Sequence, residues 1–448
     1  MKPNLYLSLS VLIFLIAGGG ISFAQAPPIL WQRCYGGDST DHINCVKQTP
    51  DGGYIATGST RSANGDLESN GGVKGLWVLK LDPWGNIQWE RTYSDTIISG
   101  YYIEPTMEGG YILTTNKQTI KLHNDGSVAW IYNLYASTAH QTSDSGYIIC
   151  SPSVLIKLNP DGSIAWQQGF YPSIVDACAS YSGGYMVSGC SEDTYVMPEV
   201  YKTNDTGGTI SFENFDYTHG SGLEICRTND NNTFIWSYVS NNTIEIAKID
   251  NNCNLAWKVK LLSLINYSGY FGIAATLENG ALAIHSDSGN VPHISVTKYD
   301  IMGKPDWNKK LGGSKADYGI SCFQAANGNY LAAGYTYSND GDVIGNHGDA
   351  DGWIVVFGTN VGVKAITNLP QEVQVYPIPA KDQLYVDLPP GLDNSTIKLA
   401  DVMGKTLLVK EEINGLLRIV YLGVLPAGEY LLQIENNGSV FSKKIVHY

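Results

Sequence analysis

The sequence lacks the features of a helical protein. No long amphipathic helical pattern occurs in its 448 residues, only 6 residues are Met, and charged residues make up a sparse 16%. Glycine and tyrosine are abundant instead, with 49 and 29 residues. Short apolar runs alternate with a period of two, which is typical of strands with one buried face. These features exclude a helical fold and predict an all-β chain, long enough for one large ring or two domains.

The sequence also lacks the common catalytic motifs. It contains no H-E-x-x-H, no G-x-S-x-G, no phosphate-binding glycine loop and no cysteine pair at zinc spacing. The chemistry that those motifs carry is therefore not indicated. Paired carboxylates for glycoside hydrolysis stay open, because a sequence does not show how far apart two side chains lie. Five histidines share no common position in the repeat described below, and we interpret them as surface or incidental residues: His42, His123, His140, His285 and His293.

Basic residues are outnumbered by acidic ones, and the formal net charge is −14. An acidic surface repels phosphate backbones, so nucleic acid is not expected as a partner. Anionic membranes are disfavoured for the same reason. Cations and neutral glycans remain compatible with this charge, although acidity also simply keeps an exported protein soluble.

The N-terminus has the pattern of a secretory signal peptide. Lys2 provides the positive start, residues 5–18 are mostly apolar, and Ala24-Gln25-Ala26 offers a small-x-small cleavage site. The apolar run is too short for a convincing membrane span. We therefore predict a signal peptide at residues 1–26 and a monomeric mature chain with no transmembrane segment.

The eight cysteines do not have the arrangement expected of disulfides. Cys45, Cys178, Cys226 and Cys322 occupy nearly the same position in different repeats, where a free thiol acts as a small buried hydrophobe. We therefore favour unpaired core thiols, with disulfides as the alternative. Cys253 lies in a turn, and we expect it to be the most exposed of the eight.

A hairpin of the form K-L-D-x-x-G-x-I-x-W recurs along the chain. Clear copies lie at residues 80–89, 121–130 and 157–166, and weaker ones end at Phe212, Trp257 and Trp307. Asp, Asn and Gly provide the turn chemistry between two short strands. A repeat of this length with four strands per unit predicts β-propeller blades. The recurrent tryptophans are then core residues between blades: Trp31, Trp89, Trp130, Trp166, Trp257 and Trp307.

Counting strands predicts seven blades and shows how the ring closes. A G-G-Y-I-like strand occurs seven times, but the hairpin that should follow it occurs only six times. The last blade, which ends near Phe357, lacks its outer strand, and a solitary strand with Trp31 precedes the first blade. The N-terminal strand should therefore complete the last blade, which removes both free edges. We predict a seven-bladed β-propeller over residues 27–358.

Two neighbouring blades carry the longest loops, at residues 59–75 and 335–352. Long loops on a rigid scaffold commonly carry binding sites. Asp340, Asp342, Asp349 and Asp351 crowd the second loop, and such oxygen-rich loops can hold calcium. The EF-hand register is absent, so we favour the interpretation that these residues form turns. Calcium binding is the alternative, and calcium is the only cofactor considered.

Residues 371–448 form a second domain after a linker at 359–370, and their strand pattern predicts a small Ig-like β-sandwich. Four ordered motifs, V-Y-P-I-P-A, I-K-L-A-D-V-M-G-K, L-P-A-G-E-Y-L-L and K-K-I-V, resemble the type A C-terminal sorting domain of the Bacteroidetes type IX secretion system. The family usually has Asn where Ile378 stands. The residues that carry the resemblance are Val375, Tyr376, Pro377, Pro379, Asp401, Gly404, Lys405, Gly428, Tyr430, Lys443 and Lys444.

This resemblance implies export by the type IX machinery as a partner, after passage through the periplasm. The protein would then be secreted or attached to the outer-membrane surface. For the propeller we expect a non-enzymatic binding protein with a glycan, peptide or protein ligand. A secreted hydrolase, carbohydrate-active or other, and a structural surface component are the alternatives. Carboxylates with raised pKa at the channel mouth would favour the hydrolase, and a channel lined by Cys, Ile and Ser would count against it.

Overall fold

The computed structural model describes residues 26–358 and 373–448, with short gaps in both ranges. In the first range the gaps are 71–74, 94–98, 171–172, 181, 192–196, 215–223, 240–242, 262–270 and 288–289. In the second they are 389–395, 402–405, 408–410, 415–416, 424 and 437–438. The predicted signal peptide, apart from Ala26, and the predicted linker lie outside the described residues. The chain divides into two compact units between Thr359 and Asn360.

The described residues of the first unit form seven four-stranded antiparallel sheets. Blade one holds β2 (Asp41–Gln48), β3 (Tyr54–Thr60), β4 (Gly75–Leu81) and β5 (Ile87–Thr92), with a 3₁₀ segment at Gly65–Asn70. Blade two holds β6 (Gly100–Pro105), β7 (Tyr111–Thr115), β8 (Thr119–Leu122) and β9 (Val128–Tyr132). Blade three holds β10 (Thr138–Gln141), β11 (Tyr147–Ser151), β12 (Val154–Leu158) and β13 (Ile164–Gly169).

Blades four to six repeat this order. Blade four holds β14 (Ser173–Ala179), β15 (Tyr185–Ser191), β16 (Met197–Thr203) and β17 (Thr209–Asn214). Blade five holds β18 (Ile225–Arg227), β19 (Asn232–Val239), β20 (Thr243–Asp250) and β21 (Leu255–Leu261). Blade six holds β22 (Phe271–Ala275), β23 (Ala281–Ser286), β24 (Ile294–Tyr299) and β25 (Pro305–Leu311).

Blade seven joins the two ends of the ring. It holds β26 (Asp317–Gln324), β27 (Tyr330–Thr336) and β28 (Asp351–Phe357), and its outer strand is β1 (Ile29–Tyr35). β1 pairs antiparallel with β28, with Arg33 opposite Ile354. The innermost strands contact one another in order around the ring, and β26 contacts β2. The prediction of seven blades closed by the N-terminal strand is confirmed.

The tryptophan of the repeat packs against the next blade. Trp130 in β9 meets Tyr147 in β11 edge-to-face, with ring centroids 5.5 Å apart. A Cβ on Gly162, in the hairpin turn of blade three, would lie 2.9 Å from the Trp130 indole, and Gly162 has a φ of +84°. Only glycine meets both demands. Similar aromatic pairs between blades are Trp31–Tyr54, Trp89–Tyr111, Trp166–Tyr185 and Trp307–Tyr330.

In four blades, the lysine that opens the repeat is buried and joins the hairpin to the inner turn of its own blade. Lys157 Nζ lies 3.0 Å from a carboxylate oxygen of Asp144 and donates to the Leu158 carbonyl at 3.0 Å. A buried ammonium group is tolerated only with such partners. This role of the lysine was not predicted from the sequence. Equivalent ion pairs are Lys80–Asp51, Lys121–Glu108 and Lys248–Asp230.

The seven cysteines whose side chains are described are free, in agreement with the favoured interpretation. Cys253 contradicts its prediction, because only 2% of it is exposed. It stands at the turn position that is glycine in the clear copies, with a φ of +69°. The preceding blade has Phe212 in place of the tryptophan, and this ring is 58% exposed. The space that an indole fills elsewhere is therefore open to a thiol.

The second unit consists of two four-stranded sheets with a common apolar core. One sheet has the order β29 (Gln374–Tyr376), β30 (Gln383–Asp387), β34 (Leu417–Tyr421), β33 (Glu411–Asn414). The other has the order β32 (Thr406–Leu407), β31 (Thr396–Asp401), β35 (Gly428–Asn436), β36 (Ser439–His447). Val375, Leu384, Leu432 and Ile445 are among the buried residues between them. The predicted small β-sandwich is confirmed. Within the described residues of the chain, no helix is long and apolar enough to cross a membrane.

Candidate binding site at the ring closure

A buried aspartate holds the long loop of blade one in place. Asp41 begins β2 and accepts hydrogen bonds from the Gly37 N–H at 2.8 Å, the Thr60 hydroxyl at 2.5 Å and the Ser62 hydroxyl at 2.6 Å. The long loop is thereby tied to the segment that enters its blade. Asp66 adds a second tie, since its carboxylate accepts the Gly36 N–H at 3.1 Å.

Blade seven repeats this arrangement at equivalent positions. Asp317 begins β26 and accepts from the Gly313 N–H at 2.9 Å and from the Thr336 hydroxyl. Asp342 accepts the Gly312 N–H at 3.4 Å, as Asp66 accepts Gly36 in blade one. The two long loops are therefore anchored by the same buried hydrogen bonds, and they form a defined surface rather than a solvated coil.

Each of the four aspartates considered for calcium has a protein donor. Asp340 accepts the Ser314 N–H at 2.7 Å, and Asp349 accepts the Thr40 hydroxyl at 2.7 Å. Asp342 holds Gly312, and Asp351 accepts the N–H and the Nδ1 of His347. The described part of the chain contains no group of three or more His, Cys, Asp or Glu residues that could hold a metal ion. Calcium binding at these residues stays a prediction.

Asp351 is the one buried aspartate of the four. It is fully buried, and its Oδ1 has no hydrogen-bond partner among the residues that the structure describes. A Cβ on Gly36 would lie 2.7 Å from this oxygen and 2.5 Å from Asp41 Oδ2. Burial and the negative charge of Asp41 raise the pKa of Asp351 to about 6, against the hydrogen bonds from His347. The closure of the ring therefore places two buried carboxylates side by side.

A groove of about 730 Å³ runs along β1 between blades seven and one. Its lining includes Trp31, Arg33, Asp66, Asn86, Ile344 and His347. The long loops provide Asp66, Ile344 and His347, and the hairpin turn of blade one provides Asn86. Ile344 is 71% exposed, so the groove is open to solvent along one side. Trp84, an exposed residue of the same hairpin turn as Asn86, does not line the groove.

A second polar cluster lies in the central channel, on the innermost strands. His140 in β10 has its Nδ1 3.0 Å from Glu104 of β6 and its Nε2 3.1 Å from Asp176 of β14. Burial alone would lower the pKa of His140, but the charges of the two carboxylates and their hydrogen bonds raise it to about 10. The interpretation of His140 as a surface or incidental residue is wrong. The sequence signal was its place on an innermost strand, where side chains point into the channel.

Glu224 is the remaining channel carboxylate. Burial and the charge of Asp176 raise its pKa to about 7, while Lys47 opposes that shift. The cavity around it measures about 80 Å³, which is room for two or three water molecules. A wider funnel of about 420 Å³, lined by Lys47, Tyr102 and Glu104 among others, approaches from the face of the inner turns.

The channel lining contains a carboxylate with a raised pKa, as expected of a hydrolase, together with Cys, Ile and Ser residues, which are not. The perturbed carboxylates favour chemistry, whereas Cys45, Cys226, Cys322, Ile273 and Ser321 count against it. The cavity beside Glu224 is small, and Glu104 also accepts the Gln141 N–H at 2.6 Å. The hydrogen bonds that join Glu104, His140 and Asp176 are made between protein groups. The arrangement can therefore hold the inner strands together, whereas the groove can admit a ligand.

Comparison with known proteins decides the identity of the second unit. Residues 374–447 match the family model of the secretion system C-terminal sorting domain. The C-terminal unit is a type IX sorting domain. The sorting domain indicates export to the cell surface or secretion and interaction with the type IX machinery.

The structure places most of the predicted motif residues of the sorting domain. Val375 is buried in β29, and Tyr376 beside it stacks on Tyr385. Tyr430 is buried in β35 and donates to the Pro426 carbonyl at 2.6 Å. Gly404 and Lys405 lie outside the described residues. The others lie at the start of β35, at the end of β31, in β36 or just after β29: Gly428, Asp401, Lys443, Lys444, Pro377 and Pro379.

Solved structures similar to parts of this chain share little sequence identity with it. The structure of BamB from Moraxella catarrhalis shares 12% identity over 88% of this chain and 99% of that chain, with a TM-score of 0.39. The β-propeller domain of Cps50 (Swd1) from Myceliophteria thermophila shares 8% identity over 73% and 100%, with a TM-score of 0.49. A protein of unknown function from Bacteroides caccae shares 12% identity over 61% and 94%, with a TM-score of 0.38. No curated protein matches the chain.

Proposed function

We propose that this protein is a non-enzymatic binding propeller that takes a glycan, peptide or protein ligand at the ring-closure groove. The observation that carries the proposal is the groove itself, about 730 Å³ in volume and bordered by the two longest loops. Concave sites of this size with a few polar groups are typical ligand sites. The two loops that border this groove are anchored by the buried aspartates Asp41 and Asp317, so the groove is preorganised for a ligand.

The alternative, a secreted hydrolase, would place its chemistry in the central channel. Glycosidases need two carboxyl groups with a substrate bond between them, roughly 5–10 Å apart. Here an imidazole fills the space between Glu104 and Asp176, and the nearby cavity is about 80 Å³. These facts support binding over hydrolysis.

The mature full-length chain on glycan and protein arrays tests the proposal. Ile344→Glu places a negative charge at the groove, and we expect it to weaken binding at least tenfold. Met302→Glu is the matched control, since Met302 is 73% exposed in a hairpin turn of blade six and lies outside the groove. Equal loss in both variants would contradict the groove as the site. Substrate turnover that Glu104→Gln and Glu224→Gln abolish would establish the hydrolase instead.

The calcium prediction is tested with the same chain. Binding by Asp340, Asp342, Asp349 and Asp351 should raise the melting temperature in calcium relative to a chelator, because a ligand that binds only the folded state stabilises it. Asp340→Asn with Asp349→Asn should remove that shift. An identical melting temperature in calcium and chelator would rule the site out.

The export route includes finer steps that belong to the proposal. We infer that the chain crosses the periplasm and then leaves through the type IX machinery by means of residues 371–448. A chain that ends at residue 370 should accumulate in the periplasm, while the full chain reaches the surface or the medium. Equal surface exposure of both chains would contradict this route.

A further inference from the structure

The ring-closure strand repeats a motif of blade one. Trp31, Arg33 and Tyr35 in β1 correspond to Trp89, Arg91 and Tyr93 at the end of blade one. The tyrosines have the same partner, since Tyr35 donates to the Gly85 carbonyl at 2.7 Å and Tyr93 donates to the Gly126 carbonyl at 2.6 Å. Trp31 packs on Gly85, and Trp89 packs on Gly126. The two arginines can therefore be compared directly.

Arg91 has a structural role that Arg33 does not share. The Arg91 Nε donates to the Asp125 carbonyl at 2.9 Å, in the hairpin turn of the next blade. A Cβ on Gly126 would lie 2.9 Å from Arg91 Cδ, so this side chain lies flat on the turn. Within the described part of the chain, the guanidinium of Arg33 forms no hydrogen bond or ion pair. The ring closure thus leaves one arginine of a repeated motif available, and that arginine lines the groove.

The surroundings of Arg33 limit the ligands that it can recognise. A guanidinium group pairs with a carboxylate through two parallel hydrogen bonds. Asp66 and Asp82 are close enough to interact with Arg33 electrostatically, and the net charge of the chain is −14. These two carboxylates partly offset the charge of Arg33, so a ligand with many negative charges is disfavoured and Arg33 can pair with one carboxylate at most.

The rest of the groove fits a sugar better than a peptide. Trp31 is half-buried, and the exposed part of an indole can contact the apolar face of a sugar ring. Asp66, Asn86 and the Nε2 edge of His347 line the same groove, and they can accept hydrogen bonds from sugar hydroxyls. We propose that the groove binds a carboxylate-bearing saccharide, such as a uronic or sialic acid, with Arg33 as the anchor of the carboxylate. This inference rests on the proposed binding function of the groove.

The test compares two arginines in the mature full-length chain. The probes are oligosaccharides ending in glucuronic or sialic acid, their carboxyl-reduced neutral counterparts, and peptides with a free C-terminal carboxylate. Arg33→Gln should weaken binding of the acidic oligosaccharides roughly 10- to 100-fold, which is the range for losing a charge-assisted pair. Arg91→Gln is the matched control, and it should leave binding within about twofold while lowering the melting temperature, because it removes the Asp125 contact.

Three results would overturn the inference, and one of them separates it from the proposed function. Equal binding of acidic and neutral sugars that Arg33→Gln leaves unchanged would refute the carboxylate anchor, while loss of binding in Ile344→Glu would keep the groove as a ligand site. Preference for the peptides would assign the groove to a different class of ligand. Binding of no probe, together with no array ligand that is sensitive to Ile344→Glu, would refute the proposed function and the inference together.

Discussion

Replacing Gly162 with alanine should destabilise the propeller more than the same replacement at Gly109. Both glycines have a positive φ, +84° and +87° respectively, so both pay the cost of about 1–2 kcal/mol that a side chain meets in this region. The Cβ at Gly109 would have no atom within 4 Å, whereas the Cβ at Gly162 would lie 2.9 Å from Trp130. Overpacking of this kind costs a further 1–3 kcal/mol, roughly.

We therefore expect a loss of about 1–2 kcal/mol for Gly109→Ala and of about 2–5 kcal/mol for Gly162→Ala. The assay is urea unfolding followed by tryptophan fluorescence, with the free energy of unfolding extrapolated to water. In a Trp130→Leu background, Gly162→Ala should cost no more than Gly109→Ala, because the clash is gone. Equal losses for the two single variants would show that the tryptophan does not press on the turn of the next blade, and would refute the packing described here.

Three further predictions concern the polar interior. Lys157→Met should lower the stability by about 1–3 kcal/mol, because it leaves the buried Leu158 carbonyl without the ammonium donor and removes the ion pair with Asp144; Asp144→Asn, which keeps an acceptor, should cost less in the same urea assay. His140 titrates near 6.5 when unfolded but has a pKa of about 10 in the fold. Its contribution to stability is therefore full below pH 6.5 and is lost as the pH rises towards 10. In the His140→Gln variant, the melting temperature should therefore vary less with pH over that interval. Burial raises the pKa of the Cys178 thiol to about 12, so alkylation mapped by mass spectrometry should label this residue much more slowly in the native chain than after denaturation; equal labelling rates would contradict this prediction.

The architecture was predictable from the sequence because each of its determinants is local and repeated. The turn residues and the alternating strands recur in every blade, and the surplus strand at Trp31 matches the deficit after Phe357. Pairing of β1 with β28 follows from that count alone. The sorting domain was predictable for the same reason, since four ordered motifs lie within about 80 residues and match the family model at 374–447.

The site was less predictable because its determinants come from different blades. His140 appears alone in the sequence, and only the ring brings Glu104 and Asp176 to its two nitrogens. Cys253 illustrates the same limit, since its buried thiol contacts Ser211 of another blade. The long loops did indicate the sector of the groove. Arg33, however, could be singled out only after the structure showed that Arg91 has a partner, whereas Arg33 has none among the described residues.

The location of the ligand is the most direct test of the account. Hydrogen–deuterium exchange of the mature chain, measured with and without a ligand found on the arrays, reports which backbone segments the ligand protects. Binding in the groove predicts slower exchange at residues 29–35, 85–87 and 344–347, with little change elsewhere. Protection confined to residues 102–104, 140–142 and 224–226 would place the ligand at the central channel and would contradict the account.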